Sequence, residues 1–183
     1  MVLRLYPRLL REEDEVGMHE DVYDILVGPL RSHLAEIEAG HRLRMLDSRY
    51  RHAQLLGLHL LKQFIDVRDL SMAQIVKLGS AETLEVREFV WQTMEQQVSR
   101  AKLEREASVL LLESAWEDTR VFARDYFRKH FAESDWTPEL LVSLCDNIRT
   151  DVQDFGKQMI TQFFREQDGS LYLQKLSQHP SSH

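Results

Sequence analysis

Eight histidines and a single cysteine are the side chains of this chain with the widest chemistry open to them. Glu38-Ala39-Gly40-His41 has the Glu-x-x-His spacing by which one helix supplies half of a di-metal carboxylate site. Such a site needs a second copy and carboxylates from two further helices, and the sequence has no second Glu-x-x-His. His52 and His59 stand seven residues apart with Asp66 seven beyond, which on a helix puts them along one face; a solvated polar flank accounts for that spacing. Cys145 precedes Asp146, has no basic neighbour before Arg149 and sits in an apolar helical pattern, as a buried thiol does and an activated nucleophile does not. No phosphate-cradling Gly loop, His-Glu-x-x-His or nucleophile elbow occurs. The expectation is therefore a non-enzymatic protein with no metal and no cofactor. A ligand- or haem-sensing helical domain is kept as an alternative, which would need an axial ligand facing a large apolar pocket.

His59-Leu60-Leu61-Lys62-Gln63 resembles the His-x-Leu-Lys-Gly pattern of histidine phosphotransfer domains. The resemblance implies that His59 takes a phosphoryl group from a receiver aspartate while Lys62 neutralises charge. Gln63 stands where those domains carry Gly, the residue that lets a receiver approach.

Charge suggests a different kind of site. The chain has 23 Lys and Arg against 30 Asp and Glu, a net charge of -7, which argues against a general nucleic-acid binder. Against that background Arg42, Arg44, Arg49 and Arg51 form a local basic interval, and Arg120, Arg124 and Arg128 form an i, i+4, i+8 stripe. Arg42, Arg49, Arg120, Arg124 and Arg128 are candidate contacts for an acidic protein partner. Ion pairing with Glu117, Asp118 and Asp125 is the competing explanation of the stripe. A lone cysteine forms no internal disulfide, and no run approaches the length of a membrane span, so the chain reads as cytosolic.

The elements that must position these residues are helical. Leu43, Leu46, Tyr50, Ala53, Gly57, Leu60 and Phe64 alternate three- and four-residue steps, which predicts one central helix from about His41 to Ile65. Its small residues Ala53 and Gly57 would let a neighbour approach closely. Gly28-Pro29 predicts a break after a first helix, and Gly40 a C-cap. Ser71-Met72-Ala73-Gln74 predicts a capping box, and Thr137-Pro138-Glu139 a strong helix start. The helix opened there would carry Leu141, Cys145, Ile148, Val152, Phe155 and Met159 as a second seam and stop at Gln167-Asp168-Gly169-Ser170. Between Ser80 and Thr137, which hold no Gly or Pro between them, a break is expected within Ser99 to Glu106. No strand pattern and no internal repeat is evident. The expected architecture is an all-α, single-domain bundle of about six helices over residues 18–176, with residues 1–17 as an N-terminal docking arm and residues 177–183 as a flexible tail.

Residues 69–133 resemble the helical input domains of bacterial purine-catabolism-type regulators and stressosome sensor proteins. Leu70 to Ser80, then Phe89-Val90-Trp91, then a helix ending in Arg124-Asp125-Tyr126 carry the likeness. It implies sensing or docking. With two seams and no reaction constellation, the expectation is a regulatory or adaptor domain, homodimeric, that binds an acidic or helical segment of a protein partner.

Overall fold

The two clearest helix starts form as their side chains dictate. Ser71 Oγ accepts the Gln74 N–H at 3.2 Å while Gln74 Oε1 accepts the Ser71 N–H at 2.8 Å, and Thr137 Oγ1 accepts the Leu140 N–H at 3.3 Å. A computed structural model describes residues 1–163 together with Gly169, Ser170 and Gln174. Among them no strand occurs, and the chain is all-α. In order come α1 (Val2–Leu5), α2 (Met18–Val27), α3 (Ala39–Arg44), α4 (Arg51–Phe64), α5 (Met72–Leu78) and α6 (Leu84–Gln96). These are followed by α7 (Val98–Leu103), α8 (Arg105–Ser108), α9 (Glu117–His130), α10 (Pro138–Cys145) and α11 (Thr150–Phe163). The helices are shorter and more numerous than the six expected. They divide into two compact units, Met1–Gln96 and the chain from Gln97 on, rather than a single bundle.

The expectation of no internal repeat is overturned by the helix starts. The long helices begin at Met18, Arg51, Leu84, Glu117 and Thr150, every 33 residues. Twelve residues before each lies the start of a shorter helical element, at Tyr6, Ala39, Met72, Arg105 and Pro138, the first of them a 3₁₀ turn. The chain thus repeats one helix pair, an arrangement in which no pair can bury its apolar face without a neighbour.

In four of the five pairs the turn between the helices is held in one way. Gln54 Nε2 donates to the Ser48 carbonyl at 2.6 Å, Arg87 to Ala81 at 2.9 Å, Arg120 to Ser114 at 2.8 Å and Gln153 Nε2 to Asn147 at 2.6 Å. In each case a polar side chain on the long helix reaches six residues back. Three of the same turns carry a second clasp, in which the side chain of Ser48, Ser114 or Asn147 accepts the N–H two residues on. These local bonds compete with helix continuation, and they explain why the expected central helix is interrupted from Met45 to Tyr50. They also explain why the expected C-terminal seam breaks at Asp146 to Arg149, leaving Ile148 96% exposed.

In the first unit, Val2, Tyr6 and Leu9 pack with Leu26, Leu34, Ile37, Met45, Leu56 and Leu60. Residues 1–10 are therefore part of this core and not an arm docked onto it. Gly28-Pro29 does end α2, but the continuation is a 3₁₀ turn, Arg31–Glu36, and Gly40 lies inside α3 instead of capping it. The close approach expected at Gly57 is real, and its partner is the turn of the same pair: a Cβ on Gly57 would lie 2.9 Å from Leu46 Cγ and 3.0 Å from Leu46 N.

In the second unit Phe127, Phe131, Trp136 and Phe155 stack edge to face or tilted, with centroids 4.8 to 6.0 Å apart. Gly156 repeats the role of Gly57, its missing Cβ facing the Cys145 N at 2.9 Å and Sγ at 3.1 Å. Between α6 and α9 the chain breaks at Gln97, at Glu104 and at Ser114; the second of these falls in the expected interval. The expected stop at 167–168, the apolar segment 171–176, apart from Gln174, and the tail lie outside the described residues.

The shared turn makes a direct prediction. Gln54→Ala strands the Ser48 carbonyl and the buried Thr83 N–H that Gln54 Oε1 accepts at 2.9 Å, and should cost about 1–3 kcal/mol. Gly57→Ala and Gly156→Ala should each cost a similar amount by forcing backbone apart, about 1–3 kcal/mol. Urea midpoints of these variants, with exposed Gln92→Ala as a control within about 0.5 kcal/mol of the parent, check it.

Candidate functional site

The turns that join short to long helices leave a groove along one edge of the first unit. Where α3 and α5 face each other, Leu43, Leu46, Leu70 and Leu78 line an apolar socket of about 100 Å³. Lys77 Nζ and Asp47 Oδ1 pair across its mouth at 2.6 Å. The groove continues past Ser48, Arg49 and Glu82 in an open cavity of about 330 Å³, and then past Leu10, Arg44 and Tyr50 in another of about 510 Å³. One end is aliphatic and the other is basic.

The sequence-predicted residues distribute unequally with respect to this groove. Arg49 lines it, is exposed, and places its guanidinium on its neighbour Tyr50, 2.8 Å from the hydroxyl and 4.9 Å from the ring centroid. Arg42 does not: it stacks on Phe64 at 4.6 Å and donates to the carbonyls of Ile37 and Ala35. The stripe on α9 is spent inside the second unit. Arg120 Nε and Arg124 both reach Asp151 Oδ2 at 2.8 Å, and Arg128 donates to Gln158 at 2.8 Å beneath the Phe155 ring. The pairing explanation of the stripe holds for Arg128, whose guanidinium meets Asp125 on the same helix at 3.3 Å, whereas for Arg120 and Arg124 the carboxylate comes from another helix. Burial works to raise the Asp151 carboxyl, yet the hydrogen bonds from Arg120 and Arg124 outweigh it and hold the group below the ordinary range.

His59 is half-buried on α4, and its Nε2 is enclosed with no hydrogen-bond partner. Burial pushes this imidazole below the usual histidine range, and Arg31 adds to the shift. Lys62 is exposed and sits 5.6 Å from the Phe89 centroid, the first unit's counterpart of Arg128 over Phe155, since both pairs are 33-residue equivalents twice over. Cys145 is half-buried, and burial raises its thiol, so it is no ready nucleophile. His41 Nδ1 bonds the Tyr6 hydroxyl at 2.9 Å, and among the described residues no group of three His, Cys, Asp or Glu is placed to hold a metal. No helix among the described residues is long and apolar enough to cross a membrane.

The sequence reading missed Lys77 and the socket beside it. The signal was the repeat register: Arg11, Arg44 and Lys77 occupy one position in three successive repeats. Comparison with known proteins finds no matching family model, no matching characterised relative and no matching solved structure.

The Asp151 clamp has a pH signature. A carboxyl whose folded pKa is depressed contributes stability that is complete above its ordinary value, about 3.9, and is lost as pH falls through the folded value. Asp151→Asn should therefore cost about 1–2 kcal/mol at pH 7 and progressively less below pH 4, read from denaturant midpoints at both pH values.

Proposed function

We propose that this chain is a non-enzymatic regulatory or adaptor module: a tandem array of helix pairs that acts by holding a protein partner. The observation that carries the reading is the 33-residue register. Repeated helix pairs expose equivalent positions in rows, and such rows form extended surfaces suited to chain segments more than to small substrates. Reaction chemistry has little to work with here, since Arg120, Arg124, Asp151, Gln54 and Gln153 are all committed to joining helices.

The phosphotransfer alternative needs an accessible ring nitrogen on His59, of which Nε2 is enclosed, so Nδ1 would have to take the phosphoryl group. The ligand- or haem-sensing alternative needs an enclosed apolar chamber, whereas the cavities described above are open grooves lined partly by charge. The likeness of residues 69–133 to sensor input domains agrees with a docking role, and self-association remains part of the proposal, with Leu103, Leu110 and Ile148 as exposed apolar contacts.

Cross-linking mass spectrometry on the purified chain, mixed with extract from its own cells, tests the reading. A partner cross-linked reproducibly to one face supports it. Turnover of a substrate that is abolished by a single side-chain substitution overturns it, and so does phosphoryl transfer to His59 from a receiver domain. Light scattering on a size-exclusion peak should show a dimer if the array pairs with itself.

A further inference from the structure

We infer that the turn-edge groove of the first unit binds an extended acidic peptide segment of a protein partner, with one aliphatic side chain seated between Leu43, Leu46, Leu70 and Leu78. The inference rests on the binding-module reading above and specifies where the partner sits and what its chemistry is.

The size of the socket selects an extended segment. At about 100 Å³ it accepts a single aliphatic side chain. A docking helix would present anchors at i, i+3, i+4 and i+7 and would need a row of such sockets. The rest of the groove is polar and open, as suits a backbone that lies along it with one anchored residue.

Charge selects an acidic segment. Arg44 is exposed, lines the wide end of the groove and makes no ion pair among the described residues. Arg49 is exposed, lines both open cavities, hydrogen-bonds the Tyr50 side chain and feels the Glu12 carboxylate through space only. Of the two carboxylates that line the groove, Asp47 is already paired with Lys77, and Glu82 borders the middle cavity but not the one that Arg44 lines. Two guanidiniums held over one groove form bidentate contacts with carboxylates, and the aliphatic end offers a uniformly charged polyanion only Lys77, which Asp47 already neutralises. An acidic protein presenting this face gains specificity from the contrast with its own surface, since the net charge of -7 repels acidic segments elsewhere.

The full chain is tested by fluorescence polarisation with labelled twelve-residue peptides containing one Leu and a Glu-Glu pair, the separation varied from two to six residues. At least one spacing should bind, with affinity falling at least tenfold when Leu is replaced by Ala, when Glu-Glu is replaced by Lys-Lys, or when the protein carries Arg44→Glu and Arg49→Glu. Both arginines are exposed, so the charge reversal should leave thermal unfolding unchanged. The reciprocal combination, the reversed protein with the Lys-Lys peptide, should recover binding and so exclude a folding defect. No binding at any spacing, or binding indifferent to the two arginines, overturns the inference. So does a single-stranded oligonucleotide that binds more tightly than every peptide, which would make the groove a polyanion site. If the peptides fail while cross-linking still places a partner elsewhere on the chain, only the groove assignment is lost; if both fail, the module reading goes with it.

Discussion

The structure depends on a polar side chain that turns back six residues along the chain to hold a carbonyl. Gln54, Arg87, Arg120 and Gln153 do this in four successive repeats, at 2.6 to 2.9 Å. A carbonyl left at the end of a short helix has no partner on its own element, and burying it unpaired would cost on the order of 1–3 kcal/mol. Satisfying it from the following helix closes the turn and fixes where that helix begins. Gln54 goes further, because its carbonyl oxygen also takes the Thr83 N–H at the start of α6 and ties one pair to the next. The small residues follow from the same closure. Once the turn folds back against its own long helix, the position three residues after Gln54 or Gln153 lies against backbone, and Gly57 and Gly156 stand there.

Because closure consumes polar side chains, the charge visible in the sequence overstates the charge available for recognition. Arg120 illustrates the point, with its guanidinium divided between the Ser114 and Ala115 carbonyls and the Asp151 carboxylate. Lys62 over Phe89 and Arg128 over Phe155 show the same economy with cation–π contacts at equivalent positions. Arg44 and Arg49, on the turn edge of the first unit, are among the cations left over for a partner.

What the sequence revealed and what it concealed divide along a physical line. Caps are local, and both Ser71 and Thr137 were legible, as was the all-α class from helical periodicity. The tightness at Gly57 was legible too, because a mid-helix glycine is costly without a reason. Breaks at Met45 to Tyr50 and at Asp146 to Arg149 were not, because heptad-like spacing continues across them and the bonds that interrupt it come from ordinary Ser, Asn and Gln residues. The repeat was hidden for a related reason. In the last four copies its positions keep roles, with Gln or Arg for the reach and Gly, Val or Ala three residues on, while the first copy has Asp21 and Asp24 there, so little residue identity survives from one copy to the next. Arg42 and the α9 stripe were sound as basic clusters and uninformative as sites, since spacing alone does not say whether another helix supplies the counter-charge.

Comparing the repeats with one another locates where recognition can vary. Inner positions are tied down by packing and by the returning side chain, whereas the residue after the accepting carbonyl lies at the tip of each turn. Val16, Arg49, Glu82, Ala115 and Ile148 occupy that tip, and all five are exposed. They share no property: two are charged with opposite sign and three are apolar. Nothing in the closure of the turn depends on them, so the fold leaves their chemistry free. In the first unit the tips at Arg49 and Glu82 border the groove, while in the second Ala115 and Ile148 present apolar surface. Positions that are alike within each pair and heterogeneous in chemistry let one helix-pair architecture display different contacts from one pair to the next.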